Sequence, residues 1–319
     1  MAHQTSAGDR HDLGVDRRAV LKAAVASTTL GVAGTASARG ASPERGPGTG
    51  DAGSNPNYID PIFGKTAAEG NPCLGRADTD CFGEFRPPVR PDHEVEMLIG
   101  IEGLVFGLAE AGVLTSAQIE ALNTAVADGS LAGDDSLLDF AVEFDERPVP
   151  ARVIAEALLA THGFHFGPAG VHVRPGDTVL FSAESPDHAV TVYHEGHGRQ
   201  NRVPDGVGPI SSPLVPVGGY WLFRFETTGV YDVYCPPHDP FGMNMRVVVS
   251  EGDTVPPLDV EQTGRPPTAE NALPSILGGL DPNVPSSAEV LASDALDPAE
   301  IVAEGTVPWH RVVDEHRQG

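Results

Sequence analysis

Residues 163 to 251 contain a succession of short segments in which apolar and polar residues alternate, and this feature restricts the fold more than any other. Alternation with a period of two is typical of half-buried β-strands. Turn residues such as Pro175-Gly176-Asp177 separate the segments, and no helical pattern intervenes. The pattern predicts a mainly β protein built around a Greek-key β-sandwich. The predicted strands lie in FHFGPAGVHVRPGDTVLFSAE, HAVTVYHE, GYWLFRFETTG, VYDVYC and MRVVVSEG.

Three flanking segments have different patterns. Residues 39–93 begin with a run rich in Gly, Pro, Ser and charge, and we interpret them as a linker. Between residues 94 and 162 apolar residues recur at threes and fours, which predicts a segment of three short helices. Residues 252–319 are acidic and Pro-rich, and they are predicted to form a disordered tail with one short helix starting at Asp297-Pro298. The apolar positions of the first predicted helix include Val95, Leu98, Ile99, Ile101 and Leu104.

Residues 1–38 have the features of an export signal. Arg17-Arg18 precede an uncharged run of small and apolar residues, which closes on the small-residue sequence Ala36-Ser37-Ala38. This arrangement is typical of a twin-arginine signal peptide. The alternative is a transmembrane anchor, but the run from Ala23 is short and rich in Ala, Ser, Thr and Gly. We therefore expect an exported protein, extracellular or at the cell surface, without a membrane anchor after cleavage.

The charge of the chain excludes one large class of functions. The formal net charge is −25, and the only lysines are Lys22 and Lys65. Proteins that bind nucleic acid need clustered Lys and Arg for phosphate contacts, so we expect no nucleic-acid partner. A surface dense in carboxylates is typical of a protein that stays hydrated in concentrated salt, which favours a halophilic source. A merely acidic secreted protein is the alternative.

The chain has three cysteines, and their spacing separates two from the third. Cys73 and Cys81 flank a loop-like stretch of Pro, Gly and Asp, which favours a small disulfide ring in an oxidising compartment. A pair of metal ligands is the competing interpretation, but no further ligands with regular spacing lie near. Cys235 is then an unpaired thiol in an exported protein, and such a thiol is a candidate ligand.

Cys235 belongs to a cluster of soft metal ligands. His238 follows it by three positions and Met243 by eight, on a loop between two predicted strands. His188, at the start of another predicted strand, can supply a second imidazole. Two His nitrogens and one Cys sulfur with a weak axial Met form the ligand set of blue copper sites. Met245 competes for the axial position, and strand alternation is expected to turn it away from the metal.

The stretch GVYDVYCPPHDPFGM resembles the copper loop of plastocyanin and of its salt-adapted relative halocyanin, which are cupredoxins. The resemblance covers residues 163 to 251. It implies a cupredoxin fold and one type 1 copper ion. The implied copper ligands are His188, Cys235, His238 and Met243.

The resemblance also implies roles for the residues around the ligands. Tyr234 matches a tyrosine on a longer route by which electrons leave. His238 is expected to reach the surface within an apolar docking patch of Pro236, Pro237, Pro240 and Phe241. The family usually has Asn after the first ligand histidine, and this chain has Ala189, so its contacts around the metal differ.

A copper ion with all its positions filled by protein groups has no place for a substrate, which favours an electron carrier over an enzyme. The expected partners are redox proteins, in particular membrane respiratory components. The alternatives are a copper oxidoreductase of the nitrite reductase or oxidase type, and a copper storage or delivery protein. His194 and His197 lie three apart and are candidate ligands for a second metal, although a solvated loop is the preferred interpretation. His165 and His172 are expected to be edge or core residues of strands.

Overall fold

The computed structural model describes residues 57–76, 78–100, 112–127, 138–144, 147–160, 163–185, 187–272 and 284–318. The predicted signal peptide and residues 39–56 of the predicted linker lie outside these ranges. Ten strands form two five-stranded sheets that pack face to face, so the predicted mainly β sandwich is confirmed. None of the described helices combines the length and the apolar character that a membrane span requires.

Sheet I has the strand order β1-β9-β7-β2-β5, and sheet II has the order β12-β6-β11-β10-β8. From β5 to β10 each strand lies in the opposite sheet from the one before it, as in a Greek-key sandwich. The strands of the two sheets are β1 Lys65–Ala67, β2 His93–Ile99, β5 Phe164–Gly167, β6 Gly170–Val173, β7 Thr178–Ala183, β8 Thr191–Val192, β9 Tyr220–Arg224, β10 Gly229–Tyr234, β11 Asn244–Val249 and β12 Thr306–Val307.

The core between the sheets consists of apolar side chains from both inner faces, among them Phe166, Phe181, Trp221, Tyr231 and Val247. Strands β7 and β11 are buried at every position. Each of them therefore has a covered outer face as well as a core face, which explains their nearly continuous apolar runs.

Strand β2 corrects the prediction of a helix at this position. Residues His93–Ile99 pair in parallel with β7 and antiparallel with β5, so they form an inner strand of sheet I. Val95 and Met97 are fully buried in the core between the sheets. The apolar residues at 95, 97 and 99 alternate, but Leu98 beside Ile99 also produces a helical spacing. Residues 101–111, which continue the predicted helix, lie outside the described residues.

The second and third predicted helices are present. They are α1, Ser116–Ala127, and α2, Ala151–Ala160, and a two-stranded hairpin of β3 Ala141–Phe144 and β4 Arg147–Pro150 precedes α2. Thr115 and Gln118 exchange hydrogen bonds at the start of α1 and form a capping box there.

The described part of the predicted linker is folded, which corrects that prediction. Strand β1 pairs with β9 at the edge of sheet I. Cys73 and Cys81 form a disulfide, and with Phe82 and Phe85 they cover Leu180 and Leu222 on the outer face of the sheet. The sandwich therefore extends beyond residues 163–251.

The C-terminal tail is also folded, contrary to the prediction of disorder. It contains α3 Ser287–Ala292, α4 Pro298–Glu304 and α5 Trp309–Gln318, and the predicted start of a helix at Asp297-Pro298 is confirmed in α4. Leu296, Ile301 and Val313 belong to an apolar cluster with Val248 on the outer face of sheet II. A Cβ atom at Gly170 would lie 2.9 Å from Ile301 Cγ1, so the glycine allows α4 to approach β6 closely.

A buried ion network joins these helices to sheet II. Asp232 accepts hydrogen bonds from Arg202 Nε and Arg246 Nε, each at 2.7 Å. Arg246 also donates from Nη1 to the Leu296 carbonyl at 2.6 Å and from Nη2 to the Leu291 carbonyl at 3.0 Å. Both carbonyls belong to the C-terminal helical segment, so this segment satisfies a charged group that the sheet buries.

Candidate metal centre

The sequence-predicted ligands come from two connections at one end of the sandwich. His188 lies on the connection from β7 to β8, and an isolated bridge to Val215 fixes its backbone. Cys235 directly follows β10, and Met243 directly precedes β11. His238 lies on the loop between them, which we call the ligand loop, residues 235 to 243.

Three donor atoms converge on one point. Cys235 Sγ lies 3.3 Å from His238 Nδ1 and 3.8 Å from His188 Nδ1, and the two Nδ1 atoms are 3.2 Å apart. Bonds from imidazole nitrogen or thiolate sulfur to a first-row metal ion are about 2.0–2.3 Å long, so one ion can reach all three atoms. All three residues are buried, and a set of one thiolate and two imidazoles suits copper. The residues therefore fit the predicted ion.

Backbone hydrogen bonds give the ligand loop its shape. The amide of His238 donates to the Cys235 carbonyl at 2.9 Å, and the amide of Cys235 donates to the Met243 carbonyl at 3.1 Å. A single 3-10 turn, Asp239–Phe241, follows His238. Gly242 ends this turn at φ 81°, and a Cβ atom there would lie 2.1 Å from the Pro285 carbonyl oxygen. Both the backbone angle and the close approach of Pro285 require glycine at this position.

The structure places both candidate axial methionines in the core between the sheets. Met243 and Met245 are each 0% exposed and belong to the same core cluster as Cys235. Residues two apart along a strand share a face, so alternation alone does not distinguish Met243 from Met245. Met243 is nevertheless distinguished by its backbone, since its amide donates to the His238 carbonyl at 3.2 Å.

Two contacts orient the first ligand histidine and the thiol. His188 Nε2 lies 2.7 Å from Ser185 Oγ, which also accepts a hydrogen bond from the Ile99 amide at 2.7 Å. An imidazole that binds a metal through Nδ1 carries its proton on Nε2, so Ser185 can hold His188 in that form. The Ala189 amide donates to Cys235 Sγ at 3.4 Å. The backbone thus links the two ligand-bearing loops, although residue 189 has no side-chain amide.

Burial sets the protonation of the donors in the absence of a bound cation. Desolvation raises the pKa of the Cys235 thiol to about 12. Desolvation also lowers the pKa of His188 to about 2, with a further contribution from His238, and lowers the pKa of His238 to about 4. At neutral pH the site therefore contains a thiol and two neutral imidazoles.

Phe164 is a residue of the site that sequence reasoning missed. Its ring stacks on the His238 ring with centroids 3.9 Å apart and an angle of 20° between the planes. It also stacks on Phe241 at 5.3 Å and meets His188 edge-on at 6.5 Å. In sequence it is one apolar residue of strand β5, and only the pairing of that strand brings it to the ligand loop.

The predicted docking residues divide into two groups. Pro236, Pro237 and Pro240 are exposed and Phe241 is half-buried, so the surface beside His238 is apolar. Tyr234, in contrast, is only 7% exposed. Its ring packs on Tyr193 with centroids 4.5 Å apart and shares a small cluster with Leu291 of α3. The C-terminal segment thus covers the residue that was predicted to lie on a second electron route.

The other histidines have different partners. His194 Nε2 donates to the Val207 carbonyl at 3.1 Å and its Nδ1 accepts from the Gly196 amide at 2.9 Å, while His197 Nε2 donates to the Ile210 carbonyl at 3.3 Å. These two rings therefore stabilise their own loop. His165 is buried and stacks on Trp309, and His172 Nε2 lies 2.9 Å from Ser250 Oγ.

Residues 155–250 match the sequence model of a family described as copper binding proteins of the plastocyanin/azurin family. The chain is also similar to pseudoazurin of Methylorubrum extorquens, with 31% identity over 86 residues. The matched part is 27% of this chain and 52% of that protein, so the chain spans about half the length of the relative.

Solved structures of pseudoazurins are also similar to part of the chain. The pseudoazurin of Methylobacterium extorquens AM1 is 30% identical over 28% of this chain and 65% of its own, with a TM-score of 0.24. The pseudoazurin of Hyphomicrobium denitrificans is 29% identical over 29% of this chain and 67% of its own, with a TM-score of 0.25.

Proposed function

We propose that this protein is a blue-copper electron carrier with one type 1 copper ion, because residues 155–250 match the model of the plastocyanin/azurin family of copper binding proteins. The observation that carries the proposal is the convergence of Cys235 Sγ and the Nδ1 atoms of His188 and His238 within 3.8 Å of one another. When bound, copper supplies one electron reversibly between its Cu(II) and Cu(I) states. His188, Cys235, His238 and Met243 would hold it.

The residues around the donors favour a fixed arrangement. Ser185 holds the His188 ring from the side opposite Nδ1, and the Ala189 amide points at the thiolate that copper binding would create. Cys235 and Met243 are each 0% exposed, so water is kept from the site. A site that keeps its geometry in both oxidation states exchanges electrons with little rearrangement.

The surface beside His238 is the proposed place of electron exchange. Pro236, Pro237 and Pro240 are exposed there, and Phe241 lies between this surface and the Phe164 ring that stacks on His238. An apolar surface can dock a partner by excluding water. The proposed partners are redox proteins, in particular membrane respiratory components.

We expect Phe241→Asp to slow electron transfer to a redox protein at least several-fold, because the new carboxylate keeps water and charge at the docking surface. The visible absorption of the copper-loaded variant should stay unchanged. Stopped-flow mixing with a small cupredoxin or cytochrome of known potential measures the rate. Phe63→Asp is the matched control, since Phe63 is 65% exposed on the N-terminal segment.

Equal rates for Phe241→Asp and the unmodified protein would contradict the docking role. Sustained reduction of nitrite or oxygen by the copper-loaded protein would contradict the carrier function itself and favour the oxidoreductase alternative.

Export by a twin-arginine signal in residues 1–38 is part of the proposal. The Cys73–Cys81 disulfide supports it, because such bonds persist in oxidising compartments outside the cytoplasm. The net charge of −25 supports a source with concentrated salt.

A further inference from the structure

Asp239, the residue after the ligand His238, is the centre of a buried hydrogen-bond network. It is 4% exposed and begins the 3-10 turn of the ligand loop. Its Oδ1 accepts from Tyr193 Oη at 2.7 Å, and its Oδ2 accepts from Arg199 Nη2 and from Thr268 Oγ1, each at 2.6 Å. Its backbone carbonyl accepts from Ser287 Oγ at 2.6 Å.

The donors to Asp239 come from two parts of the chain. Tyr193 and Arg199 belong to the connection after β8 in the sandwich, whereas Thr268 and Ser287 belong to the C-terminal segment, outside the residues that match the copper-binding family. The same segment makes two further contacts with the ligand loop. The Ala272 amide donates to the Pro240 carbonyl at 2.8 Å, and Pro285 packs against Gly242.

Arg199 makes this network unusual, because a guanidinium group that is 1% exposed lies between two aromatic rings. Its Cζ atom is 5.0 Å from the centre of the Tyr193 ring and 4.8 Å from that of the Tyr234 ring. Its Nε and Nη1 have no hydrogen-bond partner among the described residues, so its ion pair with Asp239 carries most of its polar stabilisation. The cation therefore holds Asp239 in one position.

The Asp239 network anchors the ligand loop directly after His238. Two exposed prolines precede His238, and Phe164 contacts its ring from strand β5. Asp239 is the next residue along the chain, and four donors fix both its side chain and its backbone. A change in this network moves the backbone that carries the imidazole.

We propose that the Asp239 clamp, formed by Tyr193, Arg199, Asp239, Thr268 and Ser287, positions His238 at the metal and makes the C-terminal segment part of the copper site. This proposal rests on the proposed function. The residues of the clamp are positioning residues, because they act on the metal through His238.

The test uses the full chain loaded with copper and variants that each remove one hydroxyl donor to Asp239. Ser287→Ala also removes the hydrogen bond that Ser287 Oγ accepts from Asn244 Nδ2. Thr268→Val and Ser287→Ala should increase the rate of copper transfer to a chelator about tenfold or more, which is the usual effect of contacts that orient a metal ligand. Both should also shift the copper hyperfine splitting in the electron spin resonance spectrum. Thr268→Ser keeps the hydroxyl and should restore both properties.

Ser250→Ala is the matched control for Ser287→Ala. Both serines are 0% exposed, but Ser250 contacts His172 rather than the ligand loop. If both variants lose similar stability and only Ser287→Ala changes copper release and the spectrum, the clamp is supported. Unchanged release and spectra in Thr268→Val and Ser287→Ala would overturn the clamp and leave the carrier function standing. An unmodified protein without a copper–thiolate spectrum would overturn both.

Discussion

Cys235, His188 and His238 lose nearly all contact with water when the sandwich closes around them, and this burial determines their charge. The pKa of the thiol is raised to about 12, and the pKa values of the two imidazoles are lowered to about 2 and about 4. Each shift disfavours the charged form of an isolated side chain. A bound cation reverses the balance for the thiol, because the thiolate is the form that binds metal.

Copper binding at pH 7 is expected to release one proton per ion. The thiol is protonated because its pKa lies above 7, and the imidazoles have no proton to lose because their pKa values lie below 7. The apparent copper affinity should rise about tenfold per pH unit between pH 5 and pH 9. A pH indicator in weak buffer measures the release. Release of no proton, or of two, would contradict these charge states.

The convergence of Cys235 and His238 with His188 could be predicted from the sequence, because Cys235 and His238 share one short loop of soft donor atoms. The residues that orient them could not. Phe164, Ser185 and Asp239 are ordinary members of a strand, a turn and a loop, and they acquire a role only through contacts across the fold. Of these three residues, only Asp239 could have been suspected from the sequence, because it is an acidic residue directly after His238.

Among the secondary-structure elements, the strands in which apolar and polar residues alternate regularly could be predicted. A strand whose apolar residues also follow a helical spacing could not. Strands β5 to β11 follow the predicted segments. The sequence of β2 predicts a helix, and not the observed strand, because Leu98 beside Ile99 adds a spacing of three to the alternation. Helices α3 and α5 were missed because an acidic, Pro-rich composition predicts disorder, although each has buried apolar residues, such as Val290 in α3 and Val312 in α5.

Ile301→Ala tests whether the C-terminal helices are part of the folded protein. Ile301 is 0% exposed and packs against Gly170 of strand β6. The substitution should lower the free energy of unfolding by about 2–5 kcal/mol, and the conservative Ile301→Val by about 0.5–1.5 kcal/mol. Urea unfolding measures both values. A loss below about 0.5 kcal/mol in Ile301→Ala would contradict the observed packing.

At the scale of the whole molecule, the sandwich is the inner part of a layered structure. The disulfide-linked N-terminal segment covers sheet I, and the three C-terminal helices cover sheet II. Helix α3 also covers Tyr234 through Leu291 and contacts the ligand loop through Ser287. Pro236, Pro237 and Pro240 stay exposed beside His238, and this surface is the proposed site of electron exchange.

The acidic composition predicts that salt raises the thermal stability of the protein. A net charge of −25 with few balancing lysines produces repulsion that favours unfolding, and salt screens this repulsion. We expect Tm to rise by several degrees as NaCl increases from about 0.1 M to about 1 M, where the screening length falls from about 10 Å to about 3 Å. Calorimetry at constant pH measures the change. A Tm that stays constant or falls would contradict the expected adaptation to salt.

The most direct test of the proposed copper centre is the absorption and electron spin resonance spectrum of the copper-loaded protein, compared with that of Cys235→Ser. The structure brings one sulfur and two imidazole nitrogens within bonding reach of a single ion. We predict one copper ion per chain, an intense visible band and the small hyperfine splitting of a copper–thiolate centre, all lost in Cys235→Ser. An unmodified protein that binds copper without this band, or a band that persists in Cys235→Ser, would contradict the proposed copper centre.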